Sequence, residues 1–160
     1  MQPIPWYLTL LISIPQTILM IKLGFALFNL RISNMHCLLV SLGVALASYF
    51  FRKFQIPFEA NTFVLIIIII GLTSLVSRIK IRYCVVSVLL GFMIYGVIET
   101  ILLPLFLRVL DISFAEFLLS PQLNILVFMP IFLITLFIYY LSRRFNIVLF
   151  EASEIGRAHV

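Results

Sequence analysis

The sequence predicts an all-α protein: a polytopic membrane bundle of five transmembrane helices, with its N-terminus outside and its C-terminus cytoplasmic. Three observations carry this. First, 64% of the 160 residues are hydrophobic and only 11% are charged, whereas soluble domains are about 45–50% apolar and about 25% charged. A chain of this length has no interior large enough to hide so much apolar surface, so its solvent is lipid. Second, unbroken apolar runs such as FVLIIIII (63–70) lack the alternation of a barrel strand, and the helix is the alternative that satisfies its own backbone in hydrocarbon. Third, the basic residues fall into short clusters between those runs, as they do in loops that set membrane orientation.

The runs define five spans, at about 6–28, 35–51, 62–77, 83–107 and 122–141, against a requirement of about 17–25 residues to cross the hydrocarbon core. The second and third are short and extend into the interface. Residues 1–5 carry no basic n-region and no small-residue cleavage site follows the first run, so that run is retained as a span and is not a signal peptide. Orientation follows from charge. Arg31, Arg78, Lys80, Arg82, Arg143 and Arg144 fall on one side, and Arg52, Lys53 and Arg108 on the other. The richer side is cytoplasmic by the positive-inside rule, and an odd number of spans agrees with termini on opposite sides. Glu59, Asp111 and Glu116 then face outward. The net charge of +5 is accounted for by this rule, and no nucleic-acid partner is implied.

Between spans four and five the loop RVLDISFAEFLLSPQL is the longest. Ser113 and Glu116 have capping-box spacing, and Phe114, Phe117 and Leu118 share one face, which predicts an interfacial helix at about 113–119. Ser120-Pro121 reads as the cap and first residue of span five. The element is either an external lid or a connector lying among the headgroups.

Polar residues inside the spans mark the candidate site. A carboxylate at the bilayer centre costs about 2.5–3.5 kcal/mol on insertion scales, so it faces the bundle interior or water. By helical rise Glu99 lies about 12 Å and Gln16 about 15 Å from the outer ends of their spans. Pro15 adjoins Gln16, and Pro130 in span five has a similar depth. Glu99, Gln16, Tyr95 and Thr100 form the predicted intramembrane polar layer, as a ligand pocket or as a structural Glu99–Gln16 hydrogen bond. Ser87, Gly91, Tyr95 and Glu99 recur at spacings of four on span four, and Ser41, Ala45 and Ser48 on span two allow close helix approach. Lys22, deeper than Gln16, snorkels to the inner headgroups.

Catalytic and cofactor signatures are missing from the sequence. It has no HExxH, GxSxG, Walker A or CxxC motif, so no catalytic residue, metal or cofactor is expected. His36 is interfacial. Its neighbour Cys37 has no further ligands placed in sequence to complete a metal site. Cys37 and Cys84 are packing residues and form no disulfide framework. PQTIL in span one echoes IETIL in span four, as an inverted repeat would, although two apolar helices match by chance more readily.

The stretches SIPQTILMIKLGFAL and LLGFMIYGVIETILLPLF resemble the N-terminal membrane regions of Gram-positive sensor histidine kinases of the GHKL type, in which a multi-span region precedes a cytoplasmic kinase. The resemblance covers residues 4–150, with Gln16 where the pattern carries an acid. It implies a sensory input domain of a bacterial plasma-membrane protein, with an extracellular or intramembrane ligand and a homodimer as its expected partners. The kinase's phosphoacceptor-His segment and ATP-binding boxes do not occur in the chain. The alternatives are a small transporter or substrate-binding membrane subunit using the Glu99 layer, or a non-catalytic integral membrane protein. The closing IGRAHV (155–160) resembles a translated sequencing adapter, with Glu154 astride the junction. Residues 154–160 are therefore expected to be an artefactual tail on a membrane domain of residues 1–153.

Overall fold

A computed structural model describes residues 6–54 and 58–148. The expected tail at 154–160 lies outside them, as do the side chains of Arg52, Lys53, Glu59 and Leu118. The described residues are helical, with no strand. The helices are α1 (Trp6–Leu27), α2 (Asn34–Lys53), α3 (Phe58–Ser77), α4 (Ile81–Val109), the short α5 (Phe114–Leu119) and α6 (Pro121–Arg144). Four of these, α1, α2, α4 and α6, are long and apolar enough to cross a membrane, and α3 contributes a shorter apolar segment, Thr62–Ser77. At about 1.5 Å per residue, the 22 residues of α1 measure about 33 Å, close to the hydrocarbon thickness of about 30 Å.

α1 is the hub. It packs against α2, α4 and α6, while α3 joins α2 to α4, and α4 meets α6. Leu19, Met20, Ile21, Leu23, Phe25, Leu27 and Phe28 of its second half are all buried. The closest crossing is α1 against α4. A Cβ on Gly24 would strike the Ser87 carbonyl, and a Cβ on Gly91 would strike the Met20 carbonyl. Only glycine lets the two backbones come this near, the small-residue packing expected where hydrocarbon solvent offers no hydrophobic drive between helices. Ser87, Gly91 and Tyr95 are buried along this seam.

The bundle buries small hydroxyl residues within its apolar core and exposes large apolar ones outside, unlike a soluble bundle. Thr17, Ser41, Ser48, Thr73, Ser87, Thr135 and Ser142 are inside, whereas large apolar residues such as Phe63 (71%), Leu75 (76%) and Met93 (65%) are exposed. So much exposed apolar surface is untenable in water and natural in lipid. Two of these hydroxyls bond their own helix, Ser41 Oγ donating to the Leu38 carbonyl and Thr135 Oγ1 to that of Ile131, each at 2.8 Å, whereas those of Thr73, Ser87 and Ser142 have no hydrogen-bond partner among the described residues.

Helix ends follow from local chemistry. Asn29, Asp111 and Asn146 adopt positive φ (54°, 54° and 46°) just past α1, α4 and α6, a conformation Asn and Asp tolerate better than most residues. Leu30, Ile112 and Ile147 then donate back to the carbonyls of Phe25, Leu107 and Ser142, each at 2.9 Å, closing Schellman turns. At the start of α5, Ser113 Oγ accepts from the Glu116 backbone N–H while the Ser113 N–H donates to Glu116 Oε2 at 2.9 Å. Sequence spacing alone predicts this capping box. That backbone bond and a second from the Ser113 hydroxyl to Glu116 Oε2 at 2.8 Å hold the Glu116 pKa below its ordinary value. Phe114 and Phe117 meet with ring centroids 6.1 Å apart. Ser120 caps α6 by position without a side-chain hydrogen bond, and Pro121 occupies its first turn.

Candidate functional site

Glu99 and Gln16 lie between two cavities and line both. The larger, about 360 Å³, is walled by α1, α2, α3 and α4, where Ser13, Gln16, Thr17, Ser48, Thr62 and Glu99 supply its polar surface. The smaller, about 90 Å³, opens toward α5 and α6, with Gln16, Tyr95, Glu99, Phe117, Asn124 and Ile131 among its lining. Three of the four predicted layer residues are thus brought together. Thr100 is not. It is exposed on another face of α4, beside a shallow groove with Met93, Gly96 and Val97, and its hydroxyl donates to the Gly96 carbonyl at 2.7 Å. One residue of helix advances the side chain by about 100°, enough to carry Thr100 away from the face that Glu99 occupies.

Gln16 and Glu99 share both cavities, yet no hydrogen bond joins the two side chains. Neither Pro15 nor Pro130 lines a cavity of this layer. Pro15 borders a separate apolar groove with Tyr7, Leu10, Leu11 and Ile14.

The neutral polar residues of the site escape a scan for ionisable groups. Ser13, Gln16 and Thr17 form an i, i+3, i+4 polar face on α1, a pattern present in the sequence. Ser48 and Thr62 reach the same cavity only because α2 packs on α1 and α3 bridges α2 and α4, which periodicity on one helix does not reveal. Asn124 is positioned by its own bonds, its Nδ2 donating to the carbonyls of Phe117 (3.0 Å) and Ser120 (3.1 Å). It thereby ties α5 to the first turn of α6 at the rim of the small cavity.

Chemically, the site offers one carboxyl group among neutral donors and acceptors. That set can hold a small polar or cationic group and can exchange a proton. It supplies no nucleophile–base pair, and among the described residues no three His, Cys, Asp or Glu side chains cluster as metal ligands would. Cys37 and Cys84 are both buried free thiols. No family model, curated protein or solved structure matches the chain.

Proposed function

We propose that the chain is a multi-span sensory input domain of the plasma membrane, in which the Glu99 layer receives a small polar or cationic ligand and α6 carries the response toward the C-terminus. One observation carries this reading. Glu99 stands between two cavities, and the smaller is shared with Asn124, Val127 and Ile131 of α6. A ligand that engages Glu99 from the larger cavity would therefore alter the packing of the helix leading out of the bundle. Such a ligand acts only through its different affinity for two arrangements of that helix. The five apolar helices cross the membrane in this reading, with the Arg78–Arg82 connection inside and α5 outside.

The test reads the genomic frame beyond the Ser153 codon and compares Glu99→Gln with the wild type in cells, each joined to an output module if that frame encodes one. Normal membrane insertion with signalling abolished is the expected result. Full signalling at normal expression would refute a role for Glu99. A further span or an immediate stop in the genomic frame would instead favour the transporter reading. Orientation is tested separately: a reporter fused after Arg144 should be active only in the cytoplasm, and one at Ser113 only outside.

A further inference from the structure

A third cavity lies at the opposite end of the bundle from α5, apart from the Glu99 layer. It measures about 230 Å³ and is enclosed by the last turns of α1 and α6 and the chain that follows each. Three cations line it, Lys22, Arg31 and Arg143, together with Asn29, Asn146, Tyr139 and Ser142. No described lining residue is acidic. The acidic side chains that the structure describes are elsewhere: Glu99 in the polar layer, and Asp111 and Glu116 around the α4–α5 connection.

The ordinary explanation for basic residues at helix C-termini is capping of free carbonyls. It does not suffice here. The Schellman bonds already occupy the carbonyls of Phe25 and Ala26 on α1, and of Ser142 and Arg143 on α6. The two helix ends together contribute about one negative charge, against three full positive charges, so the described lining carries a net positive field. Arg143 spends one donor on the Tyr139 hydroxyl at 3.3 Å. Its planar fork is thereby oriented while its other donors stay available. Ser142 is 5% exposed, and its hydroxyl has no hydrogen-bond partner. A lone hydroxyl beside a cluster of unneutralised cations is a costly arrangement unless an acceptor completes it.

We propose that this cavity binds a phosphate-bearing anion, held by Lys22, Arg31 and Arg143, and that in a membrane the anion is the phosphodiester of an acidic lipid headgroup. Depth favours the lipid source. Arg31 and Arg143 stand at the ends of helices whose apolar lengths match the hydrocarbon core, which is the level of headgroup phosphates. The volume is below the about 300–1,000 Å³ of a drug-sized ligand site and suits a headgroup. The same three charges repel the cationic end of a choline or ethanolamine headgroup, so a glycerol headgroup is preferred.

The full 160-residue chain in neutral detergent is titrated with phosphatidylglycerol, phosphatidylcholine and inorganic phosphate, with affinity read from the shift in thermal unfolding. Phosphatidylglycerol should bind at least tenfold more tightly than phosphatidylcholine. Arg31→Gln and Arg143→Gln should each weaken it about fivefold, and the double variant about twenty-fivefold. Both arginines are exposed, so these variants keep the fold, which circular dichroism verifies. Arg78→Gln and Arg82→Gln remove the same charge from the same end outside the cavity, and should leave the affinity unchanged. Saturation by inorganic phosphate with no lipid preference, lost in the double variant, would keep the phosphate site and assign it to the free anion. Equal losses in the two pairs, undiminished binding in the double variant, or no response to either phosphate source would overturn the proposal.

Discussion

The Glu99 layer and the basic cavity are both built on α1, yet charge is handled in opposite ways in the two. In the layer a single carboxyl group is set among neutral side chains, inside a bundle whose outer surface is apolar. At the basic end three cations share one cavity beside two helix termini, with no carboxylate among the described lining residues. Depth explains the difference. Several kcal/mol of desolvation restrict the interior to groups that can be neutralised or satisfied by protein or ligand, whereas a helix end at the headgroups keeps long cations in contact with lipid phosphate and water. The lesson concerns where selectivity is to be sought. A deep site discriminates by fit and hydrogen bonding, and a shallow one by the sign and number of charges.

The crossing of Gly24 and Gly91 lies between the two regions. Met20 belongs to the wall of the Glu99 cavity and Phe25 to that of the basic one, so forcing α1 from α4 disturbs both. The largest expected effect is therefore Gly91→Ala. Its Cβ meets a backbone carbonyl that cannot rotate away, and the cost should reach or exceed the about 1–3 kcal/mol of ordinary overpacking. Gly96→Ala, five residues along the same helix and with open space at its Cβ, should be neutral or stabilising by about 0.5–1 kcal/mol. Unfolding of the two variants in titrated detergent measures the contrast, and equal losses would show that the close crossing is not what holds α1 to α4.

Glu99→Leu sharpens the comparison. A structural Glu99–Gln16 pair would lose about 1–3 kcal/mol when one partner is removed. The two side chains share a cavity without a hydrogen bond, so the expected change in unfolding free energy is near zero or stabilising. A loss in the range of a broken buried pair would return Glu99 to a structural role. The basic cavity responds to a different variable: raising ionic strength should weaken phosphatidylglycerol binding there by screening, while the melting of the lipid-free protein changes little. A lipid affinity indifferent to salt would remove the distinction between the two regions.

The smallest effect belongs to α5. Ser113→Ala removes the hydroxyl half of the capping box and should destabilise α5 locally by about 1 kcal/mol. Because its hydrogen bonds lower the Glu116 pKa, the carboxylate's contribution is complete above the ordinary glutamate value of about 4.3 and is lost as pH falls through the lowered one. Hydrogen exchange of the α5 amides should therefore quicken in acid in the wild type. In Glu116→Gln it should not depend on pH beyond the intrinsic exchange rate.

Composition and local spacing decide much of this molecule by themselves. The all-helical class follows from long apolar runs that must satisfy their own backbone in lipid. The α5 capping box follows from Ser113 and Glu116 standing three residues apart, and the burial of Ser87, Gly91 and Tyr95 from a repeat of four on one helix. These features live on single segments, whose periodicity is written in the chain. Tertiary structure alone decided which segments meet. Ser48 and Thr62 join Glu99 because α2 folds against α1 and α3 against α2 and α4. Thr100 leaves the layer because a neighbour in sequence lies about 100° away in space. Lys22, Arg31 and Arg143 are up to 121 residues apart in the sequence, and share a cavity because α1 and α6 end side by side. No spacing rule on a single helix can report a contact between two.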